Sequence, residues 1–467
     1  MTNAIEIVRR AVVNAARTAA ASWRGFALGT GLGLALLIVV ACSGFRTGTQ
    51  TASDQQLGSL YELQKYESSP KVRVRVARGV EKATLSGPEK LRVELGAGPT
   101  GRGPEVKTPV VVTVGPQGWV VRDARGEVSL TMGMQSSPSL AVRRVAASLM
   151  DLDGTPLAGD LILHRSTSLG GGDGVSPKGF DVVEQISIDL YLPGVLAKEL
   201  YATWGLETYK AQAIAARSYA LHERQRRMAQ GDYFDLESTT KDQAYGGATN
   251  RSVAHRAVDE TIGLVLTWRG GLLRAYYSST TAGRAASARD IWPTYKGYEF
   301  NLAGPIQASP RDDADSFSPL YRWEVKRPAA SLSDRLRAYG AAHQFAIRQI
   351  GTVKKIDVTK SNEFGRPTEY RFTDQTGKSW TLSSEHARIA CNTDAPGQPP
   401  ITKEDRVNSG DFEATLVGDV MVIKGRGFGH GVGMSQYGAE GMARKGADAK
   451  QILAYYYPGA EITRLYE

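Results

Sequence analysis

The chain has 467 residues, of which 42% are hydrophobic and 22% charged, as in a globular protein that can bury a core. Its formal net charge of +9 fits either general solubility or an acidic polymer partner, such as a cell wall or an anionic membrane. Because no basic run with interleaved aromatic residues and no zinc-finger or RNA-binding motif accompanies that charge, we predict no nucleic-acid partner. Two cysteines are too few for a disulfide framework or a cysteine-rich zinc site.

The N-terminal part contains a segment, Gly25 to Phe45, that has no charged residue and is long enough to cross a bilayer as a helix. Four arginines and one glutamate precede it, so the positive-inside rule keeps the N-terminus in the cytoplasm and exports the bulk of the chain. The segment ends in "VVAC", which resembles a bacterial lipobox with Cys42 as the lipidated residue. A signal anchor and a lipoprotein signal therefore both stay open. Either one places the bulk outside the cytoplasmic membrane or in the periplasm.

The pattern of polarity divides the chain into five parts. Residues 1–25 form a cytoplasmic or signal n-region, 26–45 the membrane segment, and 46–70 a polar linker. Residues 71–180 contain short alternating runs bounded by Gly, Pro and Asp, which predict strands: "KVRVRVA", "KATLSG", "KLRVELG", "PVVVTV", "GWVVRD" and "EVSLTM". The glycine cluster at 168–174 predicts a loop. Residues 181–467 show no linker-like break and are predicted to form one large catalytic core.

The stretch "LPGVLAKEL" predicts a helix with one apolar face. Its stripe consists of Leu192, Val195, Leu196 and Leu200, and the member missing from the stripe is Glu199. One interpretation makes Glu199 an ordinary surface charge. The other makes it a buried carboxyl, whose pKa would be raised so that it could act as a general acid at neutral pH. Both stay open at this point.

The remaining elements alternate in type. A helix over "GLETYKAQAIAARSYALHERQRR" is rich in small residues that permit close packing. Strands and turns follow in "GLVLTWRGGLLRAYYSSTTAG" and "RWEVKRP", then a short helix in "SLSDRLRAYGAA" and strands in "KKIDVT", "EYRFTD", "SWTLSS" and "DVMVIKG". A last helix, "DAKQILAYYYPG", is stopped by Pro458 and Gly459. Strands dominate, so we predict an α+β fold.

The segment "GRGFGHGVGMSQYG" places glycines at alternate positions from Gly425 to Gly433 around His430. It matches neither the dinucleotide-binding nor the P-loop pattern. In an extended strand the glycines would line one bare face, which could admit a sugar ring or another strand. Tight packing around a structural histidine is the alternative. The other histidines form no ligand-spaced cluster, so metal binding by His430 is not indicated.

Several blocks together resemble a known family. These are "YLPGVLAKELYATWGLETYKAQAIAARSYAL", "AYGG", "YYSSTTAG", "DIW" and "GRGFGHGVGMSQYGAEGMARKG…ILAYYYPGAEI", in that order. They resemble the stage II sporulation protein D (SpoIID) family, which includes the amidase enhancers of bacterial cell walls. The resemblance runs from about Lys71 to Tyr466.

The resemblance implies a lytic transglycosylase that acts on peptidoglycan, with Glu199 as its general acid and base. It also implies that the glycine run and the hydroxyl- and aromatic-rich loops line a glycan cleft. The substrate-binding residues expected on this basis are His430, Ser435, Gln436, Gly429, Gly431, Tyr245, Tyr277, Ser278 and Arg217. The rival function is a non-catalytic glycan-binding protein that stimulates a cell-wall amidase.

The sequence departs from the family where some relatives use His and Cys for zinc. Tyr277, Thr281 and Asp242 stand at or near those places, and Ala282 replaces a glycine. We therefore predict an enzyme without a metal or other cofactor. The predicted partners are peptidoglycan glycan strands, a cell-wall amidase, and the membrane through the N-terminal segment. Intact and peptide-stripped strands both stay open as substrates.

Overall fold

The computed structural model describes Leu63 and residues 65–98, 102–133, 138–145, 148–165 and 179–467. The predicted segments 1–25 and 26–45, Cys42, most of the linker and the glycine cluster lie outside the described residues. Within the described ranges, every helix is too short or too polar to cross a bilayer.

Among the described residues before residue 188, the regular elements are strands, and all six alternating runs quoted above form strands, as predicted. The strands are β1 (Lys71–Val80), β2 (Lys82–Ser86), β3 (Lys90–Leu95), β4 (Glu105–Lys107), β5 (Val110–Gly115), β6 (Gly118–Arg122), β7 (Val128–Met132), β8 (Ser139–Arg144), β9 (Met150–Leu152), β10 (Thr155–Leu157), β11 (Asp160–Arg165) and β12 (Phe180–Ser187).

These strands form two sheets over one core. With β13 (Leu236–Glu237), one sheet has the order β13-β1-β12-β11-β8-β3-β4, and the other has the order β10-β9-β2-β5-β6-β7. Trp119 on β6 meets Phe180 on β12 edge to face, with ring centroids 5.3 Å apart, so the two sheets share a core. The predicted division at residue 180 stays a prediction. Strand β12, which begins at that residue, lies between β1 and β11 in the sheet and pairs with both.

Helices α1 (Ile188–Glu199) and α2 (Leu206–Gln230) follow. Helix α1 begins before the predicted stretch, directly after β12, and its apolar stripe is buried as expected. The five alanines of α2 between Ala211 and Ala220 are fully buried, which lets α3 (Ser252–Glu260) and β14 (Leu264–Trp268) pack closely against it. Shorter elements come next: β15 (Gly271–Leu272), β16 (Tyr277–Ser278), α4 (Ala288–Ile291) and two 3-10 turns, Glu299–Leu302 and Gly304–Ile306.

A second hydrophobic core begins at residue 329 and ends at 423, with Leu336, Phe372 and Ile423 among its members. We call residues 322–426 the inserted lobe. Its elements are β17 (Arg322–Pro328), α5 (Ala329–Ala342), a 3-10 turn (Ala346–Gln349), β18 (Val353–Ser361), β19 (Pro367–Asp374), β20 (Ser379–Ser383), α6 (Ser384–Cys391), β21 (Phe412–Val417) and β22 (Val420–Arg426). The first and last strands pair antiparallel, so the lobe leaves and rejoins the rest of the chain at one place.

The first hydrophobic core is the one formed by the two large sheets together with α1 and α2. The chain returns to this first core after the inserted lobe, and Val432 and Met434 are fully buried in it. The last elements are β23 (Met434–Ser435), α7 (Gln436–Arg444), α8 (Ala449–Tyr456) and β24 (Glu461–Arg464). Helix α8 begins with a capping box between Asp448 and Gln451 and ends before Pro458, as predicted. The fold is therefore mixed α+β, the class that the sequence predicts.

Candidate active site

Glu199 is the last residue of α1, next to Leu200, where the backbone becomes extended. Leu196 and Leu200 are buried in the core, while Glu199 is only partly buried and lines a cleft of about 990 Å³. The residue that interrupts the apolar stripe thus sits where the buried face of the helix reaches the cleft. The interpretation of Glu199 as an ordinary surface charge does not fit this position.

Both carboxylate oxygens of Glu199 are held by hydrogen bonds. The backbone N–H of Ala244 donates to Oε1 at 3.1 Å, and Gln436 Nε2 donates to Oε2 at 3.1 Å. Burial raises the pKa of Glu199 above its ordinary value, and these two hydrogen bonds act in the opposite direction. The net effect keeps a proton on this carboxyl to higher pH than on an exposed glutamate, as a general acid requires.

The cleft lies between the first core and the inserted lobe. One wall contains Glu199, Tyr277, His430 and Gln436, and the facing wall comes from the lobe, in α6 and the loop after it. The lobe's contribution consists of Arg388, Ile389, Asn392, Thr393, Asp394, Pro400, Ile401 and Arg406. A cleft of this size, open to solvent, can accommodate several sugar rings of a polymer.

The glycine run does not continue as an extended strand. Beyond Arg426, where β22 ends, four residues have φ between +71° and +97°, in the left-handed region that favours glycine: Gly427, Gly429, Gly431 and Gly433. The prediction that alternate glycines form one bare face of a strand is therefore wrong.

Close backbone approach gives the physical reason for these glycines. A Cβ on Gly433 would lie 2.0 Å from the carbonyl oxygen of Tyr276, and one on Gly427 would lie 2.4 Å from that of Thr280. A Cβ on Gly431 would meet the guanidinium of Arg366. The run is thus fixed against β16 and the turn that follows it.

His430 lies on the cleft wall, and its surroundings keep it neutral. Its Nδ1 accepts a hydrogen bond from the backbone N–H of Val432 at 3.0 Å, and its ring meets Trp292 edge to face, with centroids 4.9 Å apart. Burial lowers the pKa of His430 to about 4, although Glu385 nearby acts in the opposite direction. A neutral imidazole at this place can contact a sugar but does not add positive charge to the cleft.

The cleft brings together five of the predicted substrate-binding residues: His430, Gln436, Gly429, Tyr277 and Ser278. Gln436 acts on Glu199 directly, as described above. Tyr277 accepts a hydrogen bond from Gln243 Nε2 at 3.1 Å, which fixes its hydroxyl beside the cleft.

The other four predicted residues are buried elsewhere. Arg217 is fully buried, pairs with Asp189 at 2.9 Å and donates to backbone carbonyls after α3, so it holds elements of the core together. Tyr245 packs on Tyr191, and Gly431 packs on Arg366. Ser435 is fully buried, and its hydroxyl caps the N-terminus of α7. The structure therefore gives these residues positions in the packing behind the cleft.

Asp315 connects several of these elements and was not predicted. Its Oδ2 accepts hydrogen bonds from Thr281, from the backbone N–H of Ala282 and from the Ser435 hydroxyl. Ala282 has a φ of +53°, so this position adopts the left-handed backbone that favours glycine. No motif around Asp315 distinguishes it from the neighbouring aspartates in the sequence.

We expect Ser435→Ala to lower the free energy of unfolding by about 1 to 2 kcal/mol, because it removes the cap of α7 and one hydrogen bond to Asp315. Chemical denaturation measures this loss. Ser383→Ala, which removes the cap of α6 in the lobe, is the matched control. If Ser435→Ala weakened glycan binding with unchanged stability, the hydroxyl would be a substrate ligand after all.

Thr281 and Asp242, which the sequence places at or near the positions where zinc ligands were expected from the resemblance, are both engaged in hydrogen bonds. Thr281 donates to Asp315, and Asp242 accepts hydrogen bonds from Tyr219 and from the backbone of Glu237. In the part of the chain that the structure describes, no three His, Cys, Asp or Glu side chains are grouped so that they could hold a metal ion.

These features define a class of protein: an α+β fold with an inserted lobe, whose open cleft presents one partly buried glutamic acid at a helix end. Residues 176–268, which contain α1 and α2, match the stage II sporulation protein family SpoIID. The chain belongs to the SpoIID family.

Three relatives illustrate this membership. An uncharacterized protein of Brachyspira hyodysenteriae is 30% identical over 286 residues, covering 60% of this chain and 68% of the relative. The stage II sporulation protein D of Bacillus subtilis is 27% identical over 299 residues, or 60% and 76% of the two chains. The amidase enhancer of Bacillus subtilis is 26% identical over 301 residues, which are 58% of this chain and 40% of the relative.

Proposed function

We propose that this protein is a lytic transglycosylase that cleaves the bond between MurNAc and GlcNAc in peptidoglycan glycan strands. Membership of the SpoIID family and similarity to a protein named amidase enhancer support a role at the cell wall. The observation that carries the proposal is the Glu199 carboxyl, held by two hydrogen bonds at the cleft with a raised pKa.

The reaction needs one acid that changes role. Protonated Glu199 gives its proton to the glycosidic oxygen, and the bond from that oxygen to C1 of MurNAc breaks. The resulting carboxylate takes the proton of the C6 hydroxyl, and O6 bonds to C1 to give a 1,6-anhydro end. The proton balance closes without water, without a second carboxylate nucleophile and without a metal, unlike ordinary glycoside hydrolysis.

The test is a product analysis. Full-length protein in detergent is incubated with intact peptidoglycan and, separately, with amidase-stripped strands, and the products are read by mass spectrometry. Anhydro-MurNAc ends are expected. Reducing ends without the anhydro bridge would show hydrolysis instead and would contradict the proposal.

The second candidate function is a non-catalytic protein that binds glycan and stimulates an amidase. The similarity to the amidase enhancer favours it. Binding to both materials without any new chain ends, together with a faster amidase, would establish this function in place of the first.

We expect the cleavage rate to be full at low pH and to fall by about tenfold per pH unit above the raised pKa of Glu199, because only its protonated form donates to the leaving oxygen. Initial rates of anhydro-end formation across pH measure this. Strand binding by the Glu199→Gln variant at each pH is the control for effects on affinity. A rate that rises with pH would contradict the assignment of Glu199 as the acid.

We further propose that the protein is exported and held at the outer face of the cytoplasmic membrane by residues 26–45. The uncharged segment and the arginines before it support this proposal. Protease added to intact spheroplasts should then digest the region after residue 70; complete protection would contradict export.

A further inference from the structure

Four aromatic rings in contact with one another lie beside Glu199, and three of them, Tyr201, Trp204 and Tyr437, line the same cleft. Tyr201 and Trp204 lie in the turn after α1, Tyr437 is on the first turn of α7, and Phe317 lies in the loop before the inserted lobe. Tyr201, Trp204 and Tyr437 form a triangle, with ring centroids 5.3 Å apart for Tyr201 and Trp204, 4.9 Å for Trp204 and Tyr437, and 6.0 Å for Tyr201 and Tyr437. Phe317 continues from this triangle, with its ring centroid 5.3 Å from that of Tyr437. We call these four residues the aromatic row.

The aromatic row leaves large apolar surfaces in solvent. The side chain of Tyr201 is 57% exposed and that of Phe317 is 40% exposed. Among the described residues, only one other aromatic side chain, Tyr295, is a comparably exposed large hydrophobic. Single exposed hydrophobic side chains are common on protein surfaces and need no explanation. Two exposed rings that belong to one contiguous aromatic surface indicate a binding site.

Neighbouring contacts hold the aromatic row in place. Glu440 of α7 accepts hydrogen bonds from the backbone of Gly205 at 2.9 Å and from Thr208 at 2.8 Å, which ties α7 to the turn after α1. Gly441 lets α7 approach the loop that carries Phe317, because a Cβ there would lie 2.0 Å from the carbonyl oxygen of Ala314. The rings are therefore preorganised, which lowers the entropic cost of binding.

Position identifies the occupant. Tyr201, Trp204 and Tyr437 line the same cleft as Glu199, and Tyr437 follows Gln436, which hydrogen-bonds to Glu199. A polymer whose bond lies at Glu199 must continue along one side of the cleft. Flat rings with an apolar face and a polar edge suit pyranose rings, which present C–H groups on one face and hydroxyls at the edge.

We propose that the aromatic row is a subsite for successive sugar rings of the glycan strand, beyond the bond that is cleaved. The inference rests on the proposed function for the identity of the polymer. It predicts that affinity increases with strand length until the aromatic row is covered, and that Phe317, which lies outside the cleft lining, contributes only to long strands.

The test measures binding of GlcNAc–MurNAc oligosaccharides of two to eight sugars to full-length Glu199→Gln protein, which cannot consume them under the proposed mechanism. Added Tyr201→Ala or Phe317→Ala should weaken binding of the longest strands by about tenfold. Phe317→Ala should leave binding of the disaccharide unchanged, because Phe317 does not line the cleft that contains Glu199. Tyr201→Phe is the matched control, because it keeps the ring. It should bind as the parent does, and melting curves of all variants should coincide.

The outcomes separate the two proposals. If Tyr201→Ala and its parent bind the longest strands with equal affinity, the aromatic row is not a glycan subsite. This conclusion holds whether or not the protein that retains Glu199 forms anhydro ends. If these variants bind more weakly but the protein that retains Glu199 forms no anhydro ends, the result supports the glycan subsite and contradicts the proposed transglycosylase activity. Loss of amidase stimulation at unchanged glycan affinity would assign the row to a protein partner and overturn the inference.

Discussion

Replacing Glu199 with glutamine is expected to lower the rate of anhydro-MurNAc formation by at least about 10³-fold, because a carboxamide can neither donate nor accept the proton that the reaction moves. Glycan binding should persist. The new side chain has the same shape, and the Gln436 amide can rotate so that its oxygen accepts from the new amide group. Rates are measured by mass spectrometry of the products, and binding by titration with stripped strands.

Glu184→Gln is the matched control for this change. Glu184 is another buried glutamate whose pKa is raised by burial, but it lies on β12, where it accepts from the backbone of Gly159, and it does not line the cleft. Its replacement should leave cleavage unchanged. Unchanged turnover in Glu199→Gln would remove Glu199 from the mechanism.

Gly433→Ala is expected to lower the free energy of unfolding by more than about 3 kcal/mol. Part of the loss is the left-handed backbone, with a φ of +72°, which costs an alanine about 1 to 2 kcal/mol. The larger part is a clash with the carbonyl oxygen of Tyr276, 2.0 Å from the new Cβ. That carbonyl cannot withdraw freely, because it also accepts hydrogen bonds from Met434 and Tyr457.

Gly418→Ala isolates the backbone contribution. Gly418 has a similar φ of +62°, but a Cβ there has no atom within 4 Å. It should therefore cost only about 1 kcal/mol. Denaturant titration of both variants gives the comparison, and equal losses would show that the close approach at Gly433 is relieved by a small shift of the backbone.

The helices and strands of this fold were predictable wherever the spacing of apolar side chains matches the repeat of a strand or of a helix. Alternating valines predicted β1, and the stripe around Leu196 predicted α1 with Glu199 as its exception. The glycine run misled the same reasoning, because glycine has no side chain. A glycine at every second position fits an extended strand and equally fits a backbone in which every second residue has a positive φ.

The site was predictable only in part. Arg217 and Ser435 fall within motifs of the family, but residue type does not reveal whether a polar group faces a cleft or a buried partner such as Asp189 or Asp315. The facing wall of the cleft was not predictable either. Arg388 and its neighbours are far from Glu199 along the chain, and only the tertiary fold brings them opposite it.

The pairing of β17 with β22 has an evolutionary consequence. Because Arg322 and Arg426 are cross-strand partners, the region between them can lengthen, shorten or change its sequence while both of its ends stay fixed. Glu199 and its two hydrogen-bond donors, Ala244 and Gln436, lie entirely outside that region. Selection can thus remodel the wall of the cleft that the inserted lobe supplies while Glu199 and its partners stay unchanged. Under the proposed function, such changes would alter which polymers the cleft accepts without altering the catalytic residues.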